Sequence, residues 1–139
     1  MLYLIVAGGI LFLLDQWSKR MVHANAADRC ISWRGILRIR RVINLNNTYK
    51  SGGVRIALVL IWLAALISAL ILYRFGGSFQ SHAALCGLGA ALGGAAGNLL
   101  DILMRRGVVD FIDLRVWPVF NLADVAILGG LVIAFWSHT

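Results

Sequence analysis

Four apolar runs, each close to the length a helix needs to cross a bilayer, constrain this chain more than anything else in it. They cover residues 1–17 (MLYLIVAGGILFLLDQW), 56–73 (IALVLIWLAALISALILY), 83–100 (AALCGLGAALGGAAGNLL) and about 117–136. Spanning hydrocarbon as a helix takes roughly 20 residues. Of the 139 residues, 60% are hydrophobic and 14% charged, more apolar surface than a soluble domain of this size could hide. The expected architecture is an all-α membrane protein: one domain over residues 1–139, built as a bundle of four transmembrane helices at about 2–20, 55–74, 82–104 and 117–137.

Each run has its own punctuation. The first lacks a positively charged lead and a small-residue cleavage site, so a removable signal peptide is not expected. Arg55 and Arg74 bracket the uncharged second run. Gly89, Gly93 and Gly97 recur every fourth residue in the third and make a small-residue stripe that lets another backbone approach. Pro118 lies where the fourth helix is expected to start, the place a missing N–H costs least. Trp17, Trp117 and Trp136 near span ends fit interfacial belts.

Between about Lys19 and Arg55 lies the one sizeable polar segment. Within ILRIRRVINLN (36–46), Leu37, Ile39, Ile43 and Leu45 alternate with Arg38, Arg40, Asn44 and Asn46. Period two predicts a strand, and a β segment is expected within about 30–54. The formal charge of +7 sits in connections between apolar spans. Anionic lipid headgroups, not nucleic acid, are the matching partner. All Lys and Arg residues except Arg74 fall in the first and third connections, so the positive-inside tendency puts those in the cytoplasm. Cys30 and Cys86 are far apart in unlike surroundings; no disulfide, metal or other cofactor is expected.

Against this apolar background a few polar residues stand out. Asn98 and Asp101 share one face at the end of the third run, Asn121 and Asp124 share another at the start of the fourth, and Asp110 lies between them in VVDFIDL. Taken singly, such residues cap helices or meet headgroups. Asp124 resists that reading, because VAILGG follows it directly into the span, and an ionisable group there calls for a partner and a role. Asp110 is the natural partner. Two carboxylates held close cannot both ionise cheaply, so one keeps a proton while the other acts as a base. Such a pair can activate water and protonate a leaving amine. A transporter or structural bundle is the competing class, with the carboxylate as a proton or ion site, but polar groups crowded at one end make a poor conduit.

The blocks DQWSK (15–19), GGAAGNLLD (93–101), VVDFIDL (108–114) and WPVFNLADVAI (117–127) resemble, in order and spacing, those of the lipoprotein signal peptidases, also called signal peptidase II. The resemblance implies a four-helix bacterial inner-membrane aspartic endopeptidase; a monomer is expected. Such an enzyme cuts the signal peptide from prolipoproteins just before a diacylglyceryl-modified cysteine, so its partners are that lipid-modified precursor and membrane phospholipid. Carried over by motif, the catalytic residues are Asp110 and Asp124. Asn98, Asn121, Asn47, Asp101, Asp15 and Lys19 support the site or bind substrate. The polar segment after the first helix would form a small extracytoplasmic β-cradle with the active site facing outward, opposite to the charge count.

This chain departs from the family pattern twice. NNTYKSGG keeps Asn47 and Thr48 but has Tyr49 and Lys50 where small residues usually follow. Ile102 occupies the place of an arginine that the resemblance assigns to substrate contact; Arg105 and Arg106, one turn on, are the candidates to replace it. A catalytically altered relative that binds lipoprotein precursors without cutting them is therefore the alternative.

Overall fold

The structure, a computed structural model, describes residues 1–25, 31–33, 37–44, 47–76, 80–136. The elements run α1 (Leu2–Asn25), β1 (Ile31–Trp33), β2 (Leu37–Asn44), a 3-10 turn (Asn47–Lys50), α2 (Gly52–Phe75), α3 (His82–Arg105), β3 (Val108–Asp113) and α4 (Leu122–Trp136). Three helices, α1, α2 and α3, are long and apolar enough to span a membrane, and α4 is a shorter apolar helix of 15 residues.

The central element is α3, packed along α1 on one side and α4 on the other. Its glycines explain how. A Cβ on Gly93 would run into the backbone of Gly8 in α1, and one on Gly87 would lie 2.5 Å from the carbonyl oxygen of Gly130 in α4. Lipid tails are as apolar as the helices, so close backbone approach, not expulsion of apolar surface from water, holds such helices together. The stripe read as one small-residue face is thus half of the device: Gly89, Gly93 and Gly97 face α1, while Gly87 and Gly94 face α4. By contrast α2 has one buried residue, Ala69. Its exposed leucines and isoleucines, such as Leu60, Ile67 and Ile71, suit a lipid-facing helix.

At one end of the bundle a small antiparallel sheet has the order β1-β2-β3. The expected strand in 36–46 is present as β2, but strict alternation fails. The ladder slips between Ile39, opposite Ile112, and Val42, opposite Asp110. That extra residue makes Val42 continue the face begun by Ile39, correcting the expected sidedness. The third strand is a larger correction, because it comes from the connection after α3, which had no strand expectation. VVDFID has the apolar, β-branched content of a strand, yet its two aspartates hid the pattern.

The fourth helix begins at Leu122, not near Trp117. Phe120 is held in extended backbone: its N–H donates to Ile112 O at 3.0 Å and its carbonyl accepts from Ile112 N at 2.8 Å. Helix geometry can start only after that bridge, so Pro118 belongs to the approach and not to the first turn.

Candidate active site

Three helices and β3 converge below the sheet to build a polar cluster, and local rules fix each contribution. Asn121 caps α4: its Oδ1 accepts from the Asp124 N–H at 3.0 Å, and Asp124 Oδ2 accepts from the Asn121 N–H at 3.1 Å. This reciprocal pair is a capping box, and it clamps Asp124 in the first turn. Asp110 is presented by β3, paired across the ladder with Val42. Asn98 and Asp101 are one turn apart near the end of α3, and Asp15 and Lys19 one turn apart on α1.

Two asparagines link the carboxylates. Asn121 Nδ2 donates to Asp110 Oδ1 at 2.8 Å and to Asn98 Oδ1 at 3.0 Å, while Asn98 Nδ2 donates to Asp124 Oδ1 at 2.9 Å. Burial pushes the Asp110 carboxyl pKa upward, with the Asp124 charge adding to the shift and the Asn121 hydrogen bond opposing it. Asp110 therefore tends to keep a proton that an ordinary aspartate would lose.

Beneath this pair lies a sealed ion network. Lys19 Nζ is 2.7 Å from Asp15 Oδ2, 2.8 Å from Asp101 Oδ2 and 2.9 Å from Asn98 Oδ1, with its side chain wholly inaccessible. Asp15 Oδ1 accepts from the Ala123 N–H at 3.0 Å, next to the Asn121 cap. Asp101 also pairs with Arg105 and accepts a long 3.5 Å bond from the Val109 N–H. An unpaired ion here would be very costly, and each is matched. Among the described residues, no group of His, Cys, Asp and Glu could hold a metal ion.

Of the candidates read from sequence, Asp15, Lys19, Asn98, Asp101, Arg105, Asp110, Asn121 and Asp124 meet in this one cluster. Arg106 does not: it ends α3 in the left-handed conformation (φ 57°), with its N–H on Ile102 O and its side chain exposed. Ile102 is buried. Asn47 begins the 3-10 turn, but its side chain lies outside the described residues, as does Cys30. Sequence reasoning missed Gln16, whose Nε2 donates to Asp15 Oδ2 and Gly97 O, both at 3.2 Å. It also missed Gly97 as the gap that admits Asp15: a Cβ there would sit 2.5 Å from Asp15 Oδ2. Gln16 lies inside the DQWSK block, and its buried polar amide was the available signal.

Three helices of membrane-spanning length and a shorter fourth, closed at one end by such a cluster, make a multi-pass membrane bundle with a buried polar site. The fold agrees with a solved bacterial membrane enzyme determined by the in meso method at 1.9 Å, with a TM-score of 0.79, 20% identity, and coverage of 96% of this chain and 90% of that one. Residues 7–139 match the family described as Signal peptidase (SPase) II. Over 147 residues the chain is 32% identical to a lipoprotein signal peptidase from Halothermothrix orenii, covering 99% of this chain and 97% of the relative. A 50-residue stretch is 60% identical to the lipoprotein signal peptidase of Moorella thermoacetica, and spans only about a third (33%) of that relative's length. The chain belongs to the signal peptidase II family.

Proposed function

We propose that the chain is an aspartic endopeptidase that removes the signal peptide of diacylglyceryl-modified prolipoproteins, cutting before the lipidated cysteine. The observation that carries this reading is the asparagine relay: Asp110 and Asp124, from a strand and a helix, are tied by Asn121 and Asn98 through bonds of 2.8 to 3.0 Å. The buried Asp110 carries the proton. Asp124, whose oxygens accept from Asn98 Nδ2 and the Asn121 N–H, is the base. Water between them gives a proton to Asp124 and attacks the scissile carbonyl, whose oxygen takes the Asp110 proton. Collapse of the resulting gem-diol breaks the C–N bond, returns a hydroxyl proton to Asp110 and passes the Asp124 proton to the departing amine.

The working position is the outer face of a bacterial inner membrane, with phospholipid around the bundle and the protein acting as a monomer. The pairing of β2 with β3 draws the connections after α1 and after α3 to the site end, so this reading puts both on the outer side, against the positive-inside tendency. The decisive experiment incubates purified protein with a diacylglyceryl-modified precursor and follows its mobility on a gel. Wild type should cleave it, and Asp110→Asn and Asp124→Asn should not. Binding of precursor without any product would instead identify a non-cleaving relative.

A further inference from the structure

At the end of the bundle away from the carboxylates, the start of α1, the last turn of α2 and the first turn of α3 border a cavity of about 590 Å³. Leu2 and Tyr3, Tyr73 and Arg74, and His82 and Leu85 line it, two from each helix. His82 is placed there by Tyr3, their ring centroids 4.3 Å apart and the planes tilted by 33°. Gln80 joins the last turn of α2 to the approach to α3, its Nε2 donating to Tyr73 O at 3.2 Å. The lining is apolar and buried at Leu85, polar and exposed at Arg74 and His82.

Charge singles this end out. Arg74 is the one Lys or Arg outside the first and third connections, and the chain's 6 acidic residues all lie at 15–28 or 101–124, none in the segments that line the cavity. Among the described residues no ion pair involves Arg74; its guanidinium stands 5.8 Å from the Phe75 ring. Depth follows from the helix. Arg55 and Arg74 bracket the apolar run of α2 about 28 Å apart at the helical rise, close to the roughly 30 Å thickness of bilayer hydrocarbon. Arg74 therefore reaches headgroup level in the leaflet remote from the polar cluster.

We propose that this cavity binds the headgroup of an anionic phospholipid in that leaflet, with its phosphodiester on Arg74 and His82. A guanidinium grips phosphate with paired N–H donors, an imidazole offers an N–H in either protonation state, and tyrosines suit the boundary between headgroup and tail. The missing carboxylate decides the class of lipid. An ethanolamine or choline ammonium would find no anion here, whereas a glycerol headgroup brings only the negative charge that Arg74 lacks. A lipid seated here touches α1, α2 and α3 at once, and so tethers α2, which buries Ala69 alone. The proposal needs only the membrane bundle and stands apart from the peptidase reading.

The test is photocrosslinking. The probe is phosphatidylglycerol carrying a diazirine beside the ester carbonyl of one chain, so that labelling reports where the headgroup sits. It is irradiated with full-length protein in phosphatidylcholine nanodiscs, and adducts are mapped by mass spectrometry. Adducts at this end should fall on Leu2, Tyr73 and Leu85. Arg74→Gln should lower their yield about tenfold, the scale of losing one charge-assisted hydrogen bond. His82→Asp supplies the absent anion at a helix start where a carboxylate is well tolerated, and should lower the yield as much. Adducts at the arginine-rich end serve as the internal reference and should not change in either variant; Arg106→Gln, altered at that end, should leave labelling of Leu2, Tyr73 and Leu85 intact. Equal labelling by phosphatidylcholine bearing the same diazirine, undiminished yield in Arg74→Gln and His82→Asp, or a loss spread evenly over both ends would overturn the proposal. Displacement of the probe by inorganic phosphate at fixed ionic strength would overturn it too, by showing a seat for a soluble anion.

Discussion

The Lys19 ammonium lies 2.9 Å from the side-chain oxygen of Asn98, and so fixes which way that amide faces. With Oδ1 held by Lys19 and Asn121, the NH2 of Asn98 must point at Asp124 Oδ1. Lys19 also sits between Asp15 and Asp101, and removing it would leave two buried carboxylates facing each other. Lys19→Met should cost about 3–5 kcal/mol, the usual result of breaking a buried ion pair from one side. The check is thermal unfolding in detergent. Lys19→Met combined with Asp101→Asn should recover a substantial part of the loss; no recovery would mean the charge balance is not what Lys19 provides.

Gly97 makes room for Asp15 at the α1–α3 contact. A methyl at that position would stand 2.5 Å from Asp15 Oδ2, displacing the carboxylate from Lys19 and from the Ala123 N–H. Gly97→Ala should therefore lower stability by about 1–3 kcal/mol and reduce cleavage even in the protein that remains folded. Gly129→Ala is the matched control, since a Cβ there meets nothing within 4 Å. Equal effects of the two substitutions on unfolding temperature and initial rate would refute the role given to Gly97.

The apolar helices were legible because apolar length and glycine spacing are one-dimensional signals, and the residues of the polar cluster were legible because charge is conspicuous beside VAILGG. What sequence concealed is pairing. Asp110 was visible as a residue but not as part of a strand, since β3 exists only through a ladder to β2 across more than sixty positions of chain. Likewise the start of α4 depends on the bridge between Phe120 and Ile112, which overrides the local preference of Pro118 for a first turn. Gln16 was passed over because an amide next to Asp15 carries no pattern of its own; the carbonyl of Gly97, 81 residues away, gives it its place.

Catalysis and stability should conflict at Asp110. Burial raises its pKa in the folded protein above the ordinary value of 3.8. Below that value the group is protonated both folded and unfolded, and the contribution to stability is fully present. As pH rises toward and through the raised folded pKa, the unfolded chain ionises first and stability is lost. Asp110→Asn keeps the shape and cannot ionise, so its unfolding temperature should exceed that of wild type at pH 8, with the gap closing as pH falls to about 4. A gap of constant size across that range would show that Asp110 is not held protonated by its surroundings.

Asn121 tunes that same proton. Its Nδ2 donates to Asp110 Oδ1 at 2.8 Å and works against the upward pull of burial. Asn121→Ser retains a capping hydroxyl for α4 while withdrawing the amide donor from Asp110, so the Asp110 pKa should rise further. If protonated Asp110 is the catalytic acid, the alkaline limb of the kcat/KM profile, which reports ionisation in the free enzyme, should move to higher pH in Asn121→Ser even as the maximum rate falls. The fall has a separate cause: Asn98 Oδ1 loses one of its two donors, and its amide holds Asp124 less firmly. A limb displaced to lower pH would mean that the amide stabilises the protonated form of Asp110, and the assignment of acid and base would have to be exchanged.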